Sequence, residues 1–95
     1  MKKQAVVINP KDNVATVVED ISASTIIHFF VGQSEQSLQL LQDIPLGHKF
    51  AIQEIKVGEE ILKYSESIGL ATTLIRPGQH VHVHNMETRR GRRDA

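Results

Sequence analysis

The 95-residue sequence contains no cysteine. Within this chain, that excludes a disulfide scaffold, a thiolate zinc site, an iron–sulfur cluster and a cysteine nucleophile. The sequence also lacks a G-x-S-x-G nucleophile motif, a G-x-G-x-x-G dinucleotide motif and a Walker loop. A complete enzyme active site is therefore hard to assemble from these residues alone. This favours a subunit or module whose chemistry a partner completes.

Long apolar runs are also missing. The longest, such as Thr25–Ile27, are far too short to span a membrane, and residues 1–13 lack the apolar stretch of a signal peptide. We therefore expect a cytoplasmic location and no membrane association.

Aromatic residues make up only 4% of the chain, against 40% hydrophobic residues in total. A core of isoleucine, valine and leucine is expected from this composition. Ninety-five residues make one domain with a thin core, so a homo-oligomer or a partner subunit would add stability.

The formal net charge is zero, but residues 89–95 carry four arginines and one aspartate, a local charge of +3. No aromatic residue is interleaved with these arginines, so nucleic acid is not an expected partner. We predict a domain over residues 1–88, followed by a basic, flexible tail or linker toward a catalytic subunit or domain over residues 89–95.

Short β-branched segments separated by turn residues run along the whole sequence and predict an all-β fold. Helix competes only over Glu59–Tyr64, which is short and closely flanked by glycines. The predicted strands are Gln4–Ile8, Val14–Val18, Thr25–Val31, Ser37–Leu41, Lys49–Ile52, Glu60–Tyr64, Leu70–Ile75 and His80–His84.

An I-x-x-G pattern occurs at Ile44–Gly47, Ile55–Gly58 and Ile75–Gly78. Each places an apolar anchor three residues before the residue that best tolerates positive φ, directly ahead of a predicted strand. The unequal spacings argue against a solenoid, so the pattern predicts repeated turns within a compact body.

Three of the five histidines lie at alternate positions, His80, His82 and His84. In a strand these side chains share one face, with neighbouring Cα atoms ~6.6 Å apart and the outer two ~13 Å apart. A straight strand therefore lets a neighbouring pair, but not all three, approach one metal ion. A solvated histidine face is the alternative.

A second polar cluster, Gly47-His48-Lys49, follows a predicted turn. Gly47 would let a ligand approach the backbone, and Lys49 offers a positive charge for a carboxylate or phosphate. His28 has apolar neighbours on both sides and is expected to be structural.

In combination, the segments "KDNVA" (11–15), "DIPLGHKFAIQEIKVGEEILKYSESIG" (43–69) and "GQHVHVHNMET" (78–88) resemble the small SAF-type domain of the altronate and galactarate dehydratase family. The sulfolactate sulfo-lyase small subunit is similar. The resemblance covers nearly the whole chain and implies a β-clip fold, related in shape to type III antifreeze domains. In this chain, Asn9-Pro10 stands where relatives often have a histidine, and Ser65 stands where they usually have glycine.

The resemblance further implies a small subunit or domain of a sugar-acid hydro-lyase of the altronate type, inactive alone. Its expected partners are a large catalytic subunit and a sugar-acid substrate, and the assembled enzyme is expected to use a divalent metal such as Fe²⁺ or Mn²⁺. The implied catalytic residues are His48 and Lys49, and the implied metal ligands are His82 and His84. We expect His82, His84 and Asn85 to form a polar face near Gly47-His48-Lys49, with His80 at the periphery. The implied substrate-binding residues are Asp12, Asn13, Gly47, Lys63, Tyr64 and Asn85.

Two alternatives remain open at this point. One is the small subunit of a sulfolactate sulfo-lyase, which the basic tail mildly disfavours. The other is a stand-alone β-clip module that binds a ligand without catalysis. The substrate, the metal and the role of each histidine are not determined by the sequence.

Overall fold

The computed structural model describes residues 4–88, which form strands and turns without any helix. The all-β prediction is therefore confirmed. The strands are β1 (Ala5–Val6), β2 (Val14–Val17), β3 (Ile26–Val31), β4 (Ser34–Gln39), β5 (Lys49–Ala51), β6 (Glu60–Lys63), β7 (Glu66–Ala71), β8 (His80–Val81) and β9 (Met86–Thr88).

The strands form three antiparallel sheets. Strands β1, β2, β5 and β8 make a four-stranded sheet in that order. Strands β3 and β4 make a separate hairpin, and β9 joins the β6–β7 hairpin as a third strand. The central pairing of β5 with both β2 and β8 joins segments that are far apart in the sequence.

The I-x-x-G segments all form the predicted turns. Gly47, Gly58 and Gly78 have φ values of 83°, 85° and 89°. In each turn the backbone N–H that follows the glycine donates to the carbonyl three residues earlier, at 2.9–3.0 Å. This is the geometry of a turn with a left-handed third residue, for which glycine is best suited.

A fourth turn of the same kind lies at Ile21–Ser24, where Ser24 takes the place of glycine with a φ of 72°. The four turns form two pairs through reciprocal backbone hydrogen bonds between their isoleucines, Ile21 with Ile44 and Ile55 with Ile75. Hairpin β3–β4 separates the turns of the first pair and the shorter hairpin β6–β7 separates those of the second. The turn spacings are unequal because a hairpin lies between the two turns of each pair, whereas only β5 lies between Gly47 and Ile55.

The paired turns mark an internal structural repeat. The Gly47 N–H donates to the carbonyl of Val17 at 3.1 Å, and the Gly78 N–H donates to that of Ala51 at 2.8 Å. Each half of the repeat has its own apolar cluster. The first contains Ala5, Ala15, Val17, Ile21, Ile27, Phe29, Leu40, Ile44 and Phe50. The second contains Val14, Ala51, Ile55, Ile61, Ala71, Ile75, Val81 and Met86.

Several strand predictions differ from the structure. The strand predicted at Ser37–Leu41 is Ser34–Gln39, the one predicted at Gln4–Ile8 is Ala5–Val6, and β9 was not predicted. Leu70–Ile75 is strand only up to Ala71, because Ile75 belongs to a turn pair. His80–His84 is strand only up to Val81, and the chain then turns.

Within the described residues, no helix is long and apolar enough to cross a membrane. The predicted basic tail at 89–95 lies outside the described residues.

Candidate functional site

Three histidines from two paired strands converge at one end of the four-stranded sheet. His48 directly precedes β5, His80 begins β8, and His82 follows β8. Because Lys49 pairs with Val81 and Phe50 with His80, the histidine segments lie side by side. His48 Nδ1 lies 2.9 Å from His80 Nε2. One ring nitrogen from each of the three histidines falls within 4.8 Å of the others. These residues are called the histidine cluster below.

The rings of the cluster stack on one another. The centroids of His48 and His82 are 4.4 Å apart with an interplanar angle of 28°. His80 and His82 are nearly parallel at 5.7 Å. His84 is exposed, with its ring 5.2 Å from that of His80, and it lies outside the set whose nitrogens converge. The expectation that His80 is peripheral therefore differs from the structure.

The side chain of Asn85 bends the chain between His80 and His82. Its Oδ1 accepts a hydrogen bond from the His82 N–H at 3.0 Å, and its Nδ2 donates to the His80 carbonyl at 2.8 Å. Asn85 is 1% exposed, so both bonds are shielded from water. The straight-strand geometry assumed from the sequence does not apply here, because this buried amide replaces the strand ladder with a turn.

Burial and neighbouring positive charges lower the pKa of two histidines of the cluster. Burial, followed by the charges of His84, His48, His82 and Lys49, lowers the pKa of His80 to about 4. Burial, followed by His48, Lys49 and His84, also lowers the pKa of His82. An imidazole must be neutral to bind a metal ion, so these shifts favour a metal-binding state at neutral pH.

The cluster also contains a buried nitrogen without a partner. Nδ1 of His82 is shielded from solvent and makes no hydrogen bond with any residue that the structure describes. A metal bound at about 2.1 Å holds its nitrogen ligands roughly 3.0–3.4 Å apart in tetrahedral or octahedral geometry. The separations in the cluster, up to 4.8 Å, are close enough for small side-chain rotations to reach this arrangement. The three imidazoles therefore fit a divalent transition-metal ion.

Lys49 lies near the histidine cluster, and Lys63 lies near Lys49. Lys49 is half-buried, and its pKa is lowered first by burial and then by the charge of Lys63. The Lys63 ammonium lies 4.9 Å from the centre of the Tyr64 ring, a cation–π distance. The structure thus places the predicted residues Lys49, Lys63 and Tyr64 within one cationic region.

Asp12 and Asn13 are buried and hold the β6–β7 hairpin. The Asp12 carboxylate accepts hydrogen bonds from the backbone N–H groups of Tyr64 and Ser65 at 3.0 and 2.8 Å. The Asn13 side chain accepts from the Leu62 N–H and donates to the carbonyl of Glu60. Both side chains position the strand that ends at Lys63. Their predicted contact with substrate stays a prediction.

Gly47 has open space around it, since an added Cβ would meet no atom within 4 Å. A ligand therefore has room to approach this backbone, and the predicted substrate contact stays a prediction.

His28 lies on β3, outside the cluster, with its Nδ1 4.0 Å from a Glu35 carboxylate oxygen.

Sequence reasoning missed that His48 and His80 meet. The available signal was the matching turns at Gly47 and Gly78, because one leads through His48 into β5 and the other leads into β8, which begins with His80. Asn85 was identified as a site residue, but its part in shaping the histidine turn follows only from the structure.

Comparison with known proteins identifies the family of the chain. The altronate/galactarate dehydratase SAF domain family matches residues 3–89. The chain is 42% identical over 76 residues to the α subunit of (2R)-sulfolactate sulfo-lyase from Chromohalobacter salexigens, which covers 78% of this chain and 81% of that subunit. It is 39% identical over 85 residues to altronate dehydratase from Escherichia coli, which covers 90% of this chain but 16% of that enzyme. The altronate dehydratase from Bacillus subtilis is 37% identical over 86 residues, with 90% and 16% covered. The chain therefore belongs to the altronate/galactarate dehydratase SAF domain family.

Proposed function

We propose that this chain is the small subunit or domain of a carbon–oxygen lyase that eliminates water from a hydroxylated sugar acid. The observation that carries the proposal is the convergence of His48, His80 and His82 beside Lys49. Relatives named as dehydratases share this domain and extend far beyond it. The remaining catalytic groups are therefore assigned to a large subunit or domain.

The histidine cluster is the part of the chain suited to hold a divalent ion such as Fe²⁺ or Mn²⁺. When bound, such an ion would hold the carboxylate and α-hydroxyl oxygens of a sugar acid and make the C2 proton more acidic. The structure favours His48, His80 and His82 as ligands, whereas the sequence motif alone favoured His82 and His84. His84 then lies at the rim of the site.

Lys49 is proposed to bind the substrate carboxylate. Lys49 begins β5 directly after His48, and its charge lowers the pKa of both His80 and His82. Removing a C2 proton and releasing a hydroxide also need a base and an acid. The 2.9 Å contact between His48 and His80 lets these rings share one proton, so His48 is the candidate for proton transfer when no ion is bound.

The site is proposed to be incomplete without a partner. Its converging ligands are three neutral nitrogens, which fill at most half of an octahedral shell. Substrate oxygens and groups of the large subunit would supply the rest. The chain alone is therefore expected to show no turnover.

A second candidate is the small subunit of a sulfolactate sulfo-lyase. It rests on the similarity to the Chromohalobacter α subunit, which is 42% identical over 76 residues. In this case the group eliminated is sulfite rather than water, and the same histidine and lysine residues would face the substrate.

Reconstitution with a large dehydratase-type subunit tests the proposal. We expect the pair to dehydrate a sugar acid or release sulfite from sulfolactate, while either component alone is inactive. The variant His48→Ala should lower kcat/KM at least about tenfold. His28→Ala, on the separate β3–β4 hairpin, serves as the matched control and should retain full activity. Full activity of the His48 variant would exclude the histidine cluster from the chemistry.

A further inference from the structure

The main chain of His80 is held by two side-chain amides. His80 begins β8, the outer strand of its sheet, so one edge of this strand has no strand partner among the described residues. The His80 N–H donates to Oε1 of Gln42 at 2.9 Å, and its carbonyl accepts from Nδ2 of Asn85 at 2.8 Å. Asn85 belongs to the turn that follows β8, whereas Gln42 lies 38 residues before His80 in the sequence.

Gln42 belongs to a segment, residues 39–42, that crosses the chain just ahead of β8. The Leu41 N–H donates to the carbonyl of Gly78 at 2.9 Å. The two chains are in close contact, since a Cβ added at Gly78 would lie 2.5 Å from the Gln39 carbonyl oxygen. A side chain at position 78 would therefore push residues 39–42, called the bridging segment below, away from β8.

The bridging segment is anchored in the first apolar cluster. Leu40 is 1% exposed and belongs to that cluster. Its N–H donates to the Thr25 carbonyl at 2.9 Å, and its carbonyl accepts from the Ser24 N–H at 2.8 Å. The exposed side chain of Gln42 therefore starts from an anchored main chain, which lowers the entropy cost of its bond to His80.

These contacts act on one ligand of the proposed metal site. The nitrogens of the histidine cluster, up to 4.8 Å apart, need only small ring rotations to reach the separations found around a bound ion. The starting position of each ring is set by its main chain, and for His80 that main chain is bonded by Gln42 and Asn85. Groups that orient metal ligands without touching the ion contribute to metal affinity.

We propose that Gln42 is a positioning residue for His80, which holds the His80 ring in the histidine cluster and thereby strengthens the binding of a divalent ion there. This inference rests on the metal site of the proposed function and adds to it a residue outside the cluster. Gln42 contacts neither the ion nor the substrate, and it acts through the main chain of His80. The bridging segment thus connects the end of hairpin β3–β4 to the site.

The test compares Gln42→Met with Gln39→Met in the 95-residue chain. Methionine keeps the length of glutamine but removes its amide. Gln39 is the matched control, because its exposed side chain also bonds to a backbone group, the Ser24 carbonyl at 3.1 Å, rather than to a histidine. Co²⁺ affinity is measured by calorimetry and visible absorption. We expect Gln42→Met to weaken binding about fivefold, the size expected for the loss of one hydrogen bond, and to shift the visible spectrum.

The positioning role is also measured without metal. In NMR spectra of the metal-free chain, Gln42→Met should weaken the nuclear Overhauser effects between the ring protons of His48 and His80. Gln39→Met should leave these effects unchanged and keep Co²⁺ affinity within about twofold of the unaltered chain. Unchanged ring contacts in Gln42→Met, or equal effects of the two variants, would each overturn the inference.

The two measurements separate this inference from the proposed function. If the unaltered chain binds no Co²⁺, the metal site of the proposed function fails, and the ring contacts alone decide whether Gln42 positions His80. Conversely, Co²⁺ binding with the same affinity in Gln42→Met as in the unaltered chain would retain the metal site and reject the role of Gln42.

Discussion

Asn85 determines how the chain passes from His80 to His82. Its amide bonds to the backbone of both residues and is buried beneath the turn. The two hydrogen bonds of this side chain take the place of strand pairing, and the resulting turn brings the His82 ring against that of His48. The position of the histidine cluster depends on this one residue more than on any histidine.

Replacing Asn85 with alanine should lower the free energy of unfolding by about 2 kcal/mol, because a buried N–H and a buried carbonyl each lose their partner. Urea unfolding followed by circular dichroism measures this. Gln39→Ala removes an exposed bond from a side-chain amide to the Ser24 carbonyl and is the control, with an expected loss below about 0.5 kcal/mol. Equal losses in the two variants would contradict the assigned role of Asn85.

The lowered pKa values of His80 and His82 also predict a pH dependence of stability. Their folded-state pKa values lie below the unfolded value near 6.5, so the unfolded chain binds more protons as the pH falls. The contribution of these two histidines to the free energy of unfolding is complete above pH 6.5. It is lost as the pH falls from there toward about 4.

In metal-free buffer, the free energy of unfolding should therefore be lower at pH 5 than at pH 7. The difference between the two pH values should be smaller in the variant His80→Gln. His28→Gln, outside the cluster, provides the control. An unchanged pH profile in the His80 variant would show that His80 does not set it.

At the scale of single elements, the β6–β7 hairpin has an uncommon turn. Tyr64 and Ser65 both have positive φ, 57° and 61°, where turns of this kind usually contain glycine or asparagine. The Asp12 carboxylate accepts both of their backbone N–H groups and holds this conformation. The departure from glycine at position 65 therefore leaves the left-handed turn in place, stabilised from outside the hairpin.

The variant Ser65→Gly should raise the free energy of unfolding by about 1 kcal/mol, since glycine adopts positive φ without a steric cost. Ser37→Gly, on β4, should instead lower it by about 0.5–1 kcal/mol, because there glycine only adds freedom to the unfolded chain. Thermal unfolding of the two variants distinguishes these signs. A destabilised Ser65 variant would show that the serine side chain itself contributes.

These elements also show how far the sequence could be interpreted. Hydrophobic alternation and three glycines predicted most of the strands and three of the four paired turns, because those signals are local. The turn at Ser24 was missed because its left-handed residue is not glycine. The place of His80 in the histidine cluster could not be predicted, because it depends on the pairing of β5 with β8, about thirty residues apart, and on a buried amide.

For the whole molecule, the internal repeat produces two apolar clusters in a chain of 95 residues. Each cluster is small, but β2 and β5 contribute residues to both. Phe50 lies in the first cluster and Ala51 in the second, on opposite faces of one strand. This shared sheet should make the two halves unfold together.

We therefore expect one cooperative transition, with calorimetric and van't Hoff enthalpies that agree. Ile27→Ala in the first cluster and Ile61→Ala in the second should each lower stability by about 2–5 kcal/mol and shift that same transition. Two separate transitions in either variant would mean that the halves fold independently.

The central claim is that His48, His80 and His82 together form a site for a divalent ion. Titrating the metal-free chain with Co²⁺, followed by calorimetry and visible absorption, tests it most directly. The account predicts one site whose affinity falls below about pH 6 and drops at least tenfold in each of the variants His48→Ala, His80→Ala and His82→Ala. His84→Ala should stay within about threefold of the unaltered chain. The account would be contradicted if His84→Ala lost as much affinity as His80→Ala, or if all four variants bound Co²⁺ alike.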